Sequence, residues 1–152
     1  MATYAIDTNG DIALSAATAK TILNVIAASG GLVKITELSV SFDGTSSTAE
    51  PVTVELCAST QAGAGTSTSH TPLQVSGATR TVSATGARNY SAEPTVLTVR
   101  KRWLVHPQGG LLVVQFPLSR EPQLAATGGW ALRCTAPATV NVQAYLEFAE
   151  NE

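Results

Sequence analysis

Apolar and polar residues alternate with period two through most of the dense segments of this chain. In VTVELC, Val52, Val54 and Leu56 fall on one face and Thr53, Glu55 and Cys57 on the other. Over residues 140–148, Val140, Val142, Ala144, Leu146 and Phe148 face one way, and Asn141, Gln143, Tyr145 and Glu147 the other. This is the pattern of antiparallel strands with one buried face. In LVKITELSVSF the apolar phase switches from Val33 and Ile35 to Leu38, Val40 and Phe42. A plain strand cannot do this without turning its side chains over, so a bulge is expected near Thr36 and Glu37.

The prolines mark strand ends, because proline cannot donate to a sheet ladder. Pro51 and Pro94 open strands, Pro107 and Pro117 close them, and Pro137 sits in the turn TAPAT. HPQGG, residues 106–110, is expected to join WLV to LLVVQF as a tight antiparallel hairpin, with the glycines taking positive φ. Residues 18–29 have helical spacing at Ile22, Leu23, Val25 and Ile26 but are rich in β-branched side chains, which favours a strand over a short helix. The expected strands cover 2–7, 11–15, 19–27, 32–42, 51–58, 72–75, 80–84, 95–105, 111–117, 130–135 and 139–149. They amount to about ten strands, which predicts an all-β, antiparallel β-sandwich of jelly-roll-like topology over residues 1–152. Residues 59–92 carry few bulky apolar side chains and are expected to form a long flexible loop or arm. The near repeat of AEPVTVEL, residues 49–56, in AEPTVLTV, residues 92–99, matches in register only over its first three residues and reads as a reused way of entering a strand.

Composition narrows the function classes. The 152 residues are enough to bury roughly two-thirds of the surface of the unfolded chain. Charged residues are only 13% of the chain, and the formal net charge is −2, which speaks against the basic footprint of a nucleic-acid binder. MATYAIDTNGD lacks a basic region followed by an apolar run, and no segment approaches the ~18 uninterrupted apolar residues of a membrane helix, so a soluble protein without a membrane partner is expected.

The chemistry-bearing residues are few. His70 and His106 are the only histidines, too few for a jelly-roll metal site built on about three imidazoles and a carboxylate. No G-x-S-x-G segment presents a nucleophilic serine, and GAG at 63–65 is followed by polar residues, not by a phosphate-binding helix. Cys57 and Cys134 lie on strands whose inward and outward phases differ, so small packed side chains are expected in place of a disulfide or a nucleophile. The expectation is a non-enzymatic protein with no cofactor and no metal.

What stands out is surface. In PTVLTVRKRWLVH, the odd positions Leu97, Val99, Trp103 and Val105 are apolar, while Thr98, Arg100, Arg102 and His106 line the opposite face as a basic stripe. LLVVQF is apolar on both faces, with Leu111 and Val113 opposed to Leu112, Val114 and Phe116. A sandwich strand needs only one apolar face, so the second requires a cover. Arg100, Arg102, Trp103, His106, Leu111, Val113 and Arg120 are the candidate interface residues.

ITELSVSFDGTSSTAEPVTVELC, WLVHPQGG with VVQFPLSREP, and ALRCTAPATVNVQAYLEF together resemble small β-sandwich virion proteins of tailed bacteriophages and prophages, over about residues 20–150. The resemblance implies a particle component, with a homotrimeric decoration protein on the capsid exterior, partnered by the major capsid protein, as the expectation. A tail or fibre subunit, or a carbohydrate-binding module, is the alternative. The motifs carry no catalytic group across.

Overall fold

The computed structural model describes residues 2–60 and 65–150. The chain runs through β1 (Thr3–Asp7), β2 (Ile12–Leu14), β3 (Ala19–Ile26), β4 (Leu32–Phe42) and β5 (Val52–Thr60). It continues through β6 (Thr66–Ser69), β7 (Leu73–Ser76), β8 (Thr85–Ala92) and β9 (Leu97–Val105). The remaining strands are β10 (Leu111–Gln115), β11 (Gln123–Ala125), β12 (Gly128–Thr135) and β13 (Val140–Glu150). Residues 19–26 are a strand, as their β-branched content required.

Two antiparallel sheets pack face to face. The first has the order β10-β4-β13-β1-β7, with β11 also pairing β4 and β2 also pairing β13; the second has the order β6-β8-β3-β12-β5-β9. Inward positions of both sheets supply one continuous core that includes Ile6, Leu14, Val25, Leu38, Val54, Leu56, Leu132 and Leu146. Tyr4 and Phe148 meet at its centre with ring centroids 5.8 Å apart.

The phase switch in β4 has the expected cause. Glu37 pairs with Glu147 and Ile35 with Phe148, so Thr36 is the extra residue of a bulge. Its carbonyl accepts the Phe116 N–H at 2.9 Å. On one side of the bulge β4 pairs with β10, on the other with β11.

Three expectations are corrected. The segment 59–92 is not a loop throughout: β5 runs to Thr60, and β6, β7 and β8 follow, while residues 61–64 lie outside the described residues. These strands are short of apolar residues because they sit at or near sheet edges, where ladder hydrogen bonds hold them without a deep buried face. Residues 80–84 are not a strand. The amides of Ser83 and Ala84 donate to the buried carboxylate of Glu150, each at 2.8 Å, in place of a neighbouring strand. Finally, residues 106–110 do not close a hairpin: β9 pairs with β5 and β10 with β4, so the turn carries the chain from one sheet to the other. Gly109 has φ of 63°, and Gly110 passes too close to the His106 carbonyl for a Cβ.

Candidate functional site

The outer face of the first sheet carries an open cleft, the candidate site. Strand alternation points Ser39 and Ser41 of β4, Gln143 and Tyr145 of β13, and Ala5 and Asp7 of β1 away from the core. Because most of these side chains are small, the sheet carries a cleft of about 530 Å³ bordered by Leu73 and His70. Leu111 and Val113 stand beyond it on β10, cross-strand from Ser41 and Ser39. They are 66% and 49% exposed, and Leu73 on the far side is 69% exposed.

The face is acidic. His70 Nε2 lies 3.3 Å from Asp7 Oδ1, which also accepts the Asn9 amide at 3.0 Å. Gln143 donates to Asp11 at 2.7 Å. Glu37 and Glu147 stand directly opposite each other in the β4–β13 ladder. Gln115 and the Tyr145 hydroxyl both donate to Glu37. That hydrogen bond, with burial and the neighbouring carboxylates, pushes the Tyr145 hydroxyl up to about 12. Asp7 and His70 form a carboxylate–imidazole pair suited to hydrogen bonding, and no group of three or more His, Cys, Asp or Glu among the described residues could hold a metal ion.

The interface residues expected from sequence divide between the two sheets. Leu111 and Val113 belong to the surface just described. Arg102 lies on the outer face of the second sheet, where it shares the Glu55 carboxylate with Arg133. The basic stripe of β9 is therefore corrected. Lys101 pairs with Leu56 and Val99 with Cys57, so Arg100 is a bulged residue and the side-chain phase inverts there. Leu97 and Val99 thus share the outer face with Arg102, and Arg102 is neutralised by Glu55. Trp103 packs against the core. His106 accepts the Gln108 amide at 3.0 Å within the inter-sheet turn, and Arg120 occupies the turn after β10.

Sequence reading missed Asp7, Glu37, His70 and Leu73. Alternation alone could place Glu147 and Tyr145 outward, but their meeting with Glu37 needs the pairing of strands distant in sequence.

Around β3, the second sheet's outer face is closed by polar groups. β8 pairs with β3 only from Leu23 to Ile26. Beyond that, the Glu93 carboxylate takes the Thr21 amide and hydroxyl, each at 2.6 Å. Asn24 donates to the Tyr90 hydroxyl at 3.1 Å and accepts from Ser59 at 3.0 Å. Cys57 is buried among these groups, while Cys134 faces the core; both are free thiols. Burial pushes the Cys57 thiol up to about 11 and Cys134 higher still. Neither forms a useful thiolate at neutral pH. Alkylation at pH 8 should leave both unmodified in the native protein and label both in denaturant. Rapid native labelling of Cys57 would contradict its burial.

No family model, curated protein or solved structure matches the chain.

Proposed function

We propose that this chain is a non-enzymatic virion structural protein of a tailed bacteriophage, a decoration protein bound to the exterior of the major capsid shell. The sequence motifs that resemble phage β-sandwich virion proteins motivate the reading. The observation that carries it is the exposed apolar margin of the first sheet, Leu111 and Val113 on one side and Leu73 on the other, around a shallow polar cleft. Large apolar side chains exposed on a strand call for a partner surface, since each is worth about 1.5–3 kcal/mol on full burial.

In this reading the protein is a trimer, each copy of which contacts a neighbouring capsid subunit. Binding energy available only on the assembled shell favours that shell by mass action, and three linked contacts hold far more tightly than one. The test is its location: quantitative mass spectrometry of purified particles should find it at hundreds of copies on shells. A few copies confined to tails would make it a tail subunit, and absence from particles would overturn the reading.

Val113→Lys places a charge in the apolar margin, at a cost of several kcal/mol in a desolvated contact. Light scattering should report a trimer for the unaltered chain and a monomer for the variant, with the far-ultraviolet circular dichroism unchanged. A variant that stays trimeric would remove Val113 from the contact.

A further inference from the structure

We propose that the acidic outer face of the first sheet receives the β9 edge of a second copy of the chain, so that the protein assembles head to tail. This rests on the self-association in the proposed function and names the two surfaces that make it.

On the receiving face, Glu37 and Glu147 are directly opposed across adjacent strands, and Asp7, beside His70, and Asp11, bound by Gln143, add further carboxylates. Like charges directly opposite each other are destabilising, so an arriving cation relieves a repulsion that the single chain carries. Apolar Leu111 and Val113 flank these carboxylates.

The β9 edge has the complementary character. Arg100, Lys101 and Arg102 are consecutive on this edge strand of the second sheet. Arg102 is tied to Glu55, and the Lys101 ammonium lies 5.1 Å from the centre of the Phe116 ring. Arg100, at the bulge, is exposed and has no hydrogen-bond or ion-pair partner among the described residues. Leu104, two positions beyond Arg102 on the same outward phase, is 70% exposed. A cation and an apolar side chain thus meet carboxylates and an apolar margin. Because the two surfaces are different parts of the molecule, the contact is heterologous, not a twofold pair, and three such contacts would close the proposed trimer as a ring.

The test is a charge exchange in the full chain, using Arg100→Glu, Glu147→Lys and the double variant, followed by analytical ultracentrifugation at low and high salt and by binding to purified shells. Each single variant should weaken self-association by at least ~tenfold, the double variant should recover most of it, and salt should weaken the unaltered assembly. Single variants that assemble normally, or a folded double variant that does not recover, would overturn this docking while leaving the decoration reading intact. An unaltered chain that is monomeric at high micromolar concentration yet binds shells would do the same. If Arg100→Glu abolishes shell binding but not self-association, the β9 edge faces the capsid and the proposal fails. Loss of shell binding by the unaltered chain would instead remove the decoration reading.

Discussion

Glu55→Ala is expected to cost about 3 kcal/mol of stability at neutral pH, although the residue lies on an outer face. Arg102 approaches one carboxylate oxygen through Nε at 2.8 Å, and Arg133 approaches the other through Nε at 2.7 Å. The side chain of Glu55 is 5% exposed and that of Arg133 23%, whereas that of Arg102 is 61% exposed. The exposed Arg102 contributes little. The main loss is the stranding of Arg133, a largely buried cation left without its counter-charge. Burial pushes the Glu55 carboxyl up, and hydrogen bonds from Arg133 and Arg102 more than offset this, holding it below its usual value. A depressed folded pKa gives stability that is present above the unfolded value, about 4.3, and is lost as pH falls through the folded one. Urea unfolding should therefore show a wide gap between the unaltered chain and the variant at pH 7 and a narrower gap at pH 3. A gap independent of pH would mean that the ion pairs are not its source.

Phe148→Ala should cost about 3–5 kcal/mol, the usual range for removing a fully buried aromatic ring. Phe148 is fully buried, stacks obliquely on Tyr4, and lies on a strand flanked by β1 and β4. Those neighbours are fixed by ladder hydrogen bonds on both sides, so the cavity cannot collapse. For a domain of this size each kcal/mol lowers the melting temperature by about 2–4 °C, giving a fall of about 6–20 °C by calorimetry. Phe42→Ala, at the half-buried end of β4, should cost clearly less. A fall of only a few degrees for Phe148→Ala would show that the centre of the sandwich repacks freely.

Period-two alternation made the central strands legible, because residues such as Val52, Val54 and Leu56 must all face the core. It also located the Thr36 bulge, where the change of apolar phase has no other backbone explanation. Residues 66–69 and 85–92 were opaque for the opposite reason: Thr, Ser, Ala and Gly at a sheet margin leave little apolar signal. Residues 80–84 were misread as a strand, because the Glu150 carboxylate takes the amides of Ser83 and Ala84 in place of a ladder partner. The β9–β10 connection was misread because a proline–glycine turn has the same local chemistry within one sheet or between two. The Leu111 and Val113 part of the surface could be read from a strand apolar on both faces. The acidic part could not, since Asp7, Glu37 and Glu147 come from strands separated by most of the chain, and His70 joins them from the segment after β6.

The pairing of β13 with β1, β4 and β2 sets when the first sheet can close. β13 is the last of the described strands to emerge from the ribosome, yet it fills the gap between β1 and β4 at the middle of the first sheet. Until then both neighbours present open, apolar strand edges, and no partial chain can complete that sheet. Completion of the first sheet therefore waits for β13 and proceeds at the slow rate of topologies dominated by distant pairings, on the order of milliseconds to seconds. Chains truncated before residue 140 should be insoluble, while a chain that includes β13 should fold in a single cooperative step.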